Sequence, residues 1–108
     1  MKYYVADFDF FKENTAVFFD KEGHQILLAK LGEQVYAIAN RCPHFGASLM
    51  KGTIEDGVVT CKSHGAKINL TNGEIIRDAK MGFIKFKTRR AKTYPVTIDN
   101  NRVYVEIE

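Results

Sequence analysis

The sequence is poor in cysteine, with two among 108 residues. Small secreted domains that depend on disulfides normally carry four or more, so that class is excluded. No apolar run approaches the ~20 residues that a membrane-spanning helix needs. The N-terminus turns acidic at Asp7 and has no apolar segment typical of a signal peptide. We therefore expect a soluble, cytoplasmic protein.

The sequence also lacks recognisable catalytic patterns. It contains no nucleophile–base pair, no phosphate-binding loop and no carboxylate placed as a general acid, so we expect no catalysis by this chain alone. The length fits a single domain, 1–108. An apolar fraction of 45% is sufficient for a hydrophobic core.

Short runs rich in β-branched and aromatic residues, each bounded by turn-forming residues, make up most of the chain. The clearest runs span 16–19, 25–29, 35–39, 94–98 and 103–107. Asp99, Asn100 and Asn101 predict a hairpin turn, and Pro95 predicts a strand edge or a bulge. No segment sustains helical periodicity. The pattern predicts an all-β antiparallel sandwich or barrel.

The segment 41–72 is rich in glycine and contains two cysteine–histidine pairs. The four candidate ligands are Cys42, His44, Cys61 and His64. Gly46 and Gly65 follow the two pairs and allow tight turns whose amide groups point inward. Two pairs of this kind in the loop-rich part of a small domain predict a four-ligand metal site.

Cys₂His₂ ligation also suits zinc, so a zinc-binding interaction module is a real alternative. Structural zinc sites, however, usually group their cysteines in one element and their histidines in another. In this chain each loop supplies one of each. A [2Fe–2S] cluster with two thiolate and two imidazole ligands fits two loops that each provide one cysteine and one histidine.

The runs Cys42–Leu49 and Val59–Ala66 resemble the two cluster-binding boxes of the Rieske proteins. Segments around Gly73 and Tyr94 are similar to those that follow the boxes in Rieske-type ferredoxins. The resemblance implies an antiparallel β fold with a loop-rich cluster-binding subdomain at about 40–78. It also implies one [2Fe–2S] cluster and a soluble one-electron carrier between a reductase and a terminal oxygenase or reductase.

The resemblance also implies the role of each ligand. Cys42 and Cys61 would bind the inner iron, and His44 and His64 the outer, exposed iron. A second possibility is the small Rieske subunit of a larger enzyme, such as NADH-dependent nitrite reductase.

Two departures from the high-potential Rieske proteins narrow the subtype. Ala47 and Ser63 stand where those proteins carry two further cysteines, so the disulfide between the boxes is absent. Ala66 and Ile68 stand where their hydroxyl donors are expected. Fewer donors stabilise the reduced cluster less, which predicts a potential near the low end of the Rieske range.

A basic stretch occupies residues 80–92, which contain six of the sixteen basic residues and no acid. A solvated basic strand is one interpretation, and a docking patch for an acidic redox partner is the other. Within the stretch, Lys85, Lys87, Arg89 and Arg90 are the candidate docking residues. Nucleic-acid binding is not expected, because the net charge is only +3 and no binding motif is present. His24 is expected in an exposed turn with no role.

Overall fold

The computed structural model describes residues 1–13, 16–40, 52–61, 65–77, 79–81, 84–86 and 91–107. Across these residues the chain forms one short helix and thirteen strands, with antiparallel pairing throughout. The helix is α1 (Phe10–Glu13), and the strands are β1 (Lys2–Asp7), β2 (Ala16–Lys21), β3 (His24–Leu31), β4 (Gln34–Ala39), β5 (Thr53–Glu55), β6 (Val58–Thr60), β7 (Lys67–Asn69), β8 (Ile75–Arg77), β9 (Ala79–Met81), β10 (Ile84–Phe86), β11 (Thr93–Tyr94), β12 (Val96–Asp99) and β13 (Arg102–Glu106). The predicted all-β antiparallel fold is confirmed.

The middle sheet has the strand order β11-β4-β3-β2. Its two hairpins turn within two residues, because Lys21 pairs with His24 and Leu31 pairs with Gln34. In the first turn both residues have positive φ, 51° at Glu22 and 82° at Gly23. Such turns match the right-handed twist of the flanking strands. Both turns fall between the predicted runs 16–19, 25–29 and 35–39.

The base sheet has the order β1-β13-β12. Asn100 and Asn101, with φ of 50° and 65°, form the turn between β12 and β13. This confirms the predicted C-terminal hairpin, and asparagine suits the turn because it tolerates positive φ. Pro95 lies between β11 and β12, where the chain passes from the middle sheet to the base sheet.

The insert sheet consists of β5 to β8 in sequential order and lies, in the chain, between β4 and β11. Strands β5, β6 and β7 therefore occur inside the segment that the sequence indicated to be loop-rich. Each is three residues long, which is too short to show the alternation of a half-buried strand.

Strand β3 is buried on both faces, because its side chains alternate between two hydrophobic cores. The base core consists of Phe11, Ile26, Leu28, Val35, Ala37, Tyr94, Val103, Val105 and Ile107. The insert core consists of Leu27, Ala29, Ile38, Val59, Cys61, Ala66, Ile68, Leu70 and Ala91. The middle sheet thus lies between the base sheet and the insert sheet, and contributes to both cores.

Strands β9 and β10 form a separate two-stranded hairpin in which Met81 pairs with Ile84. A strand was one of the two interpretations of the basic stretch, and β10 lies within it. In the part of the chain that the structure describes, no helix has the length and apolarity to cross a membrane.

Candidate metal centre

Cys61 follows directly after β6 and is held by its own backbone. Its N–H donates to the carbonyl oxygen of Ala66 at 2.8 Å, and its carbonyl oxygen accepts from the N–H of Gly65 at 3.1 Å. These two bonds close the turn that contains the second cysteine–histidine pair. Because β6 and β7 pair on either side of it, the turn has a fixed base.

Gly65 gives this turn its shape. Its φ is +73°, in the left-handed region that residues with a Cβ rarely adopt. A Cβ built at Gly65 would meet no atom of the described residues within 4 Å. The glycine is therefore required by backbone conformation and not by a close contact with another described residue.

The side chain of Cys61 is only 1% exposed and packs in the insert core. Its neighbours there include Val59, Ala66 and Ile68, each 0% exposed. A thiolate in such apolar surroundings is costly unless a cation compensates its charge. Ligation to a metal provides that compensation, because cysteine binds metals as the thiolate. The buried position of Cys61 thus fits a metal-bound thiolate.

The other three predicted ligands, Cys42, His44 and His64, lie outside the described residues, so the four-ligand set stays a prediction. The chain is described up to Asn40, two residues before Cys42. Asn40 is 5% exposed, and its N–H donates to the carbonyl oxygen of Gln25 at 2.8 Å. The segment that leads into the first pair is therefore fixed to the start of β3.

A close backbone contact joins the turn between β7 and β8 of the insert sheet to the end of the basic stretch. The N–H of Ala91 donates to the carbonyl oxygen of Gly73 at 2.8 Å. A Cβ on Gly73 would lie 2.2 Å from the carbonyl oxygen of Ala91, and Gly73 has a φ of +77°. Only glycine fits this position. The sequence indicated a similarity around Gly73 but gave no sign of its partner.

His24 differs from its expected place in an exposed turn. It is the first residue of β3, is only half-buried, and its Nδ1 lies 3.1 Å from the hydroxyl oxygen of Tyr94. The Tyr94 ring is in turn 5.0 Å from Nζ of Lys92. The contact spans 70 residues of sequence, so local patterns could not reveal it.

The described residues form a small antiparallel β protein in which one candidate metal ligand, Cys61, lies on an inserted sheet. A family model for the Rieske [2Fe–2S] domain matches residues 1–95. The chain belongs to the Rieske [2Fe–2S] family, and its cofactor is one Rieske-type [2Fe–2S] cluster.

Several proteins similar to this chain are ferredoxin components of oxygenase systems. It is 28% identical over 104 residues to the ferredoxin component of the naphthalene 1,2-dioxygenase/salicylate 5-hydroxylase systems of Ralstonia sp., covering 96% of this chain and 93% of that protein. A solved ferredoxin of carbazole 1,9a-dioxygenase from Nocardioides aromaticivorans superposes with a TM-score of 0.82. That match covers 100% of this chain and 99% of the other at 23% identity, and it concerns the fold.

A different kind of relative is much longer. The chain is 39% identical over 51 residues to apoptosis-inducing factor 3 of Mus musculus. That stretch is 47% of this chain and 8% of the mouse protein. The chain therefore matches a short part of one relative and most of the length of another.

Proposed function

We propose that the protein is a one-electron carrier that passes electrons from a reductase to a terminal oxygenase or reductase. The observation that carries this proposal is the correspondence, over nearly the full length of both chains, with a ferredoxin component of an oxygenase system. In such a system the carrier is a separate protein and performs no catalysis. We infer a cytoplasmic location, because both cysteines are assigned as reduced metal ligands.

In this proposal the cluster is held by Cys42 and Cys61 through thiolates and by His44 and His64 through imidazoles. When bound, a Rieske-type cluster accepts and releases one electron, at roughly −150 to +300 mV. The chain supplies the surroundings. The insert core keeps water from the thiolate of Cys61, and the two backbone hydrogen bonds of the 61–66 turn fix its position.

The potential is expected near the low end of that range. Ala66 and Ile68 are both 0% exposed in the core around Cys61, and neither has a hydroxyl group to donate to the cluster. A redox titration monitored by circular dichroism tests this expectation. Ala66→Ser should raise the potential, and a clearly positive potential in the wild type would contradict the assignment.

The basic residues Lys85, Lys87, Arg89 and Arg90 are proposed to dock an acidic partner. Lys85 lies in β10 opposite Lys80 of β9, so the hairpin brings two basic residues of the stretch to one register position. Replacing Arg89 and Arg90 by serine should slow reduction by the partner at low salt, because steered association depends on such charges. Unchanged kinetics would mean that the basic stretch contributes to solubility and does not dock the partner.

Two alternatives make different predictions. A fixed subunit of a larger enzyme, such as NADH-dependent nitrite reductase, would copurify with its partner. The match of 47% of this chain to a short part of a much longer relative supports this alternative. A zinc-binding interaction module would be colourless and redox-inactive, and the family match favours the cluster instead.

The first experiment is iron and acid-labile sulfide analysis of anaerobically purified protein, with EPR after dithionite reduction. About two irons and two sulfides per chain, with the low average g-value of mixed cysteine and histidine ligation, are expected. Cys61→Ser should abolish the signal, because serine offers no thiolate. The matched control is Ser63→Ala, which changes the same turn but none of the proposed ligands. One zinc per chain and no EPR signal would overturn the proposal.

A further inference from the structure

Lys92 lies where the insert sheet and the middle sheet meet. The residue before it, Ala91, is 5% exposed and packs in the same core as Cys61. Ala91 donates its N–H to Gly73 of the insert sheet, and Lys92 accepts at its carbonyl oxygen from the N–H of Ala39, at 2.9 Å. The backbone at Lys92 is therefore held from both sides.

The side chain of Lys92 is also restrained, although it is exposed. Its Nζ lies 5.0 Å from the centre of the Tyr94 ring, and the hydroxyl of Tyr94 contacts His24. A cation over an aromatic face loses part of its freedom before any partner arrives. Binding through a cation already held in place costs less conformational entropy than binding through a free lysine.

The charge of Lys92 has no acidic partner at ion-pair distance among the residues that the structure describes. Glu74, which follows Gly73 on the other side of the Gly73–Ala91 contact, is an exposed acid. Lys92 is also the last residue of the basic stretch 80–92, which contains no acid. Among the described residues, the positive charge of Lys92 is therefore held in place by the Tyr94 ring and not by an acid.

We propose that Lys92 is the anchored contact residue of a docking surface for an acidic redox protein. The proposal rests on the carrier function and adds a residue whose position is fixed relative to the core that holds Cys61. A protein partner fits better than a nucleic acid, because one anchored cation and a net charge of +3 give little attraction for a polyanionic backbone.

Inorganic oxidants of opposite charge measure how the charge of Lys92 affects electron transfer, without knowledge of the natural partner. The dithionite-reduced protein is mixed in a stopped-flow instrument with anionic hexacyanoferrate(III) or cationic hexaamminecobalt(III), over a range of ionic strength. We expect Lys92→Gln to lower the rate with the anion by about threefold at low salt and to raise the rate with the cation. Both differences should shrink as salt screens the charge.

Lys30→Gln is the matched control. It removes the same charge, and Lys30 also lies over an aromatic ring, with Nζ 5.8 Å from the Phe8 ring centre. Lys30 pairs with Val35 near the C-terminal end of β3. Ala39 pairs with Ile26, near the N-terminal end of the same strand. Its removal should change neither rate by more than about 1.5-fold. Glu74→Gln, which removes a negative charge beside the Gly73–Ala91 contact, should act in the opposite direction to Lys92→Gln.

A second readout does not depend on electron transfer. Paramagnetic hexacyanochromate(III) should broaden the amide NMR signals of Lys92 and Thr93 in the oxidised protein, and Lys92→Gln should reduce that broadening. Equal rates for wild type and Lys92→Gln with both oxidants would overturn the proposal and leave the carrier function intact. Tighter binding of a DNA duplex to wild type than to Lys92→Gln would overturn the choice of a protein partner. A wild-type chain without a reducible cluster would overturn the carrier function and this proposal together.

Discussion

The two hydrophobic cores on either side of the middle sheet differ in the kind of side chain they contain. The base core includes Phe11 and Tyr94 and is flanked by further aromatic residues from β1, β2 and the segment before α1. The insert core consists of aliphatic side chains, three alanines and Cys61. Large aromatic side chains bury much apolar area, whereas small ones let backbones approach closely. The base core therefore contains the larger side chains, and the insert core allows close packing of the backbone around Cys61.

Strand β3 allows this division to be tested with neighbouring residues. Leu27 and Leu28 are both 0% exposed, but Leu27 packs in the insert core and Leu28 in the base core. Each change to alanine should lower the free energy of unfolding by about 2–5 kcal/mol, because it leaves a cavity. Only Leu27→Ala should also alter the EPR g-values and the potential. Denaturant unfolding and EPR of both variants check this, and equal EPR changes in both would remove the distinction between the cores.

The glycine contact at the edge of the insert core sharpens the comparison further. Gly73→Ala should destabilise the protein by about 2–4 kcal/mol, because it combines an unfavourable φ with a Cβ 2.2 Å from a backbone oxygen. Gly23→Ala is the matched control, since Gly23 has a φ of +82° and a Cβ there would meet no described atom within 4 Å. Its cost should be about 1 kcal/mol, from φ alone. Similar thermal unfolding shifts for both variants would show that Ala91 moves aside at little cost.

The smallest effect is expected on the outer face of the base sheet. The hydroxyl of Tyr4 donates to Oδ1 of Asp7 at 2.9 Å, and this hydrogen bond is the main reason that the pKa of Tyr4 is raised above its usual 10.0. A raised pKa means that the bond adds stability below pH ~10, and that this stability is lost as the pH rises through the folded-state pKa. Asp7→Asn should lower the pKa of Tyr4 in an ultraviolet titration.

The control for this titration is Glu22→Gln, which changes an acid that contacts Tyr3 instead. It should leave the pKa of Tyr4 unchanged. Neither variant should alter the EPR spectrum, because both acids lie on surfaces of the base and middle sheets away from the insert core. A change in the EPR spectrum with Asp7→Asn would contradict the separation of the two regions.

Much of the base and middle sheets could be predicted from sequence because their signals are local. The hairpin at Glu22 and Gly23 and the hairpin at Asn100 and Asn101 depend on turn residues that tolerate positive φ, and the alternation on either side is regular. The buried position of Cys61 also agrees with its assignment as a ligand, although no pattern within the chain distinguishes a buried ligand from a buried filler.

Other features could not be predicted because they depend on contacts distant in sequence or on elements too short to show a period. Strands β5 to β7 are only three residues long, and helix α1 has only four residues. The contact of His24 with Tyr94 joins residues 70 positions apart. The fit of Gly73 against Ala91 depends on the path of the chain between them, which no local pattern describes.

The hydrogen bond between Ala39 and Lys92 marks the place where the chain leaves the middle sheet and returns to it. The ends of the intervening segment are thus already together, so a short linker could replace that segment at little additional entropic cost of loop closure. We therefore expect that the segment between Ala39 and Lys92, which contains the proposed ligands, can be exchanged as a unit. Residues 40–91 could be exchanged for the equivalent segment of another Rieske protein. We expect this exchange to transfer the redox properties of the donor protein, while the base sheet of the host is retained.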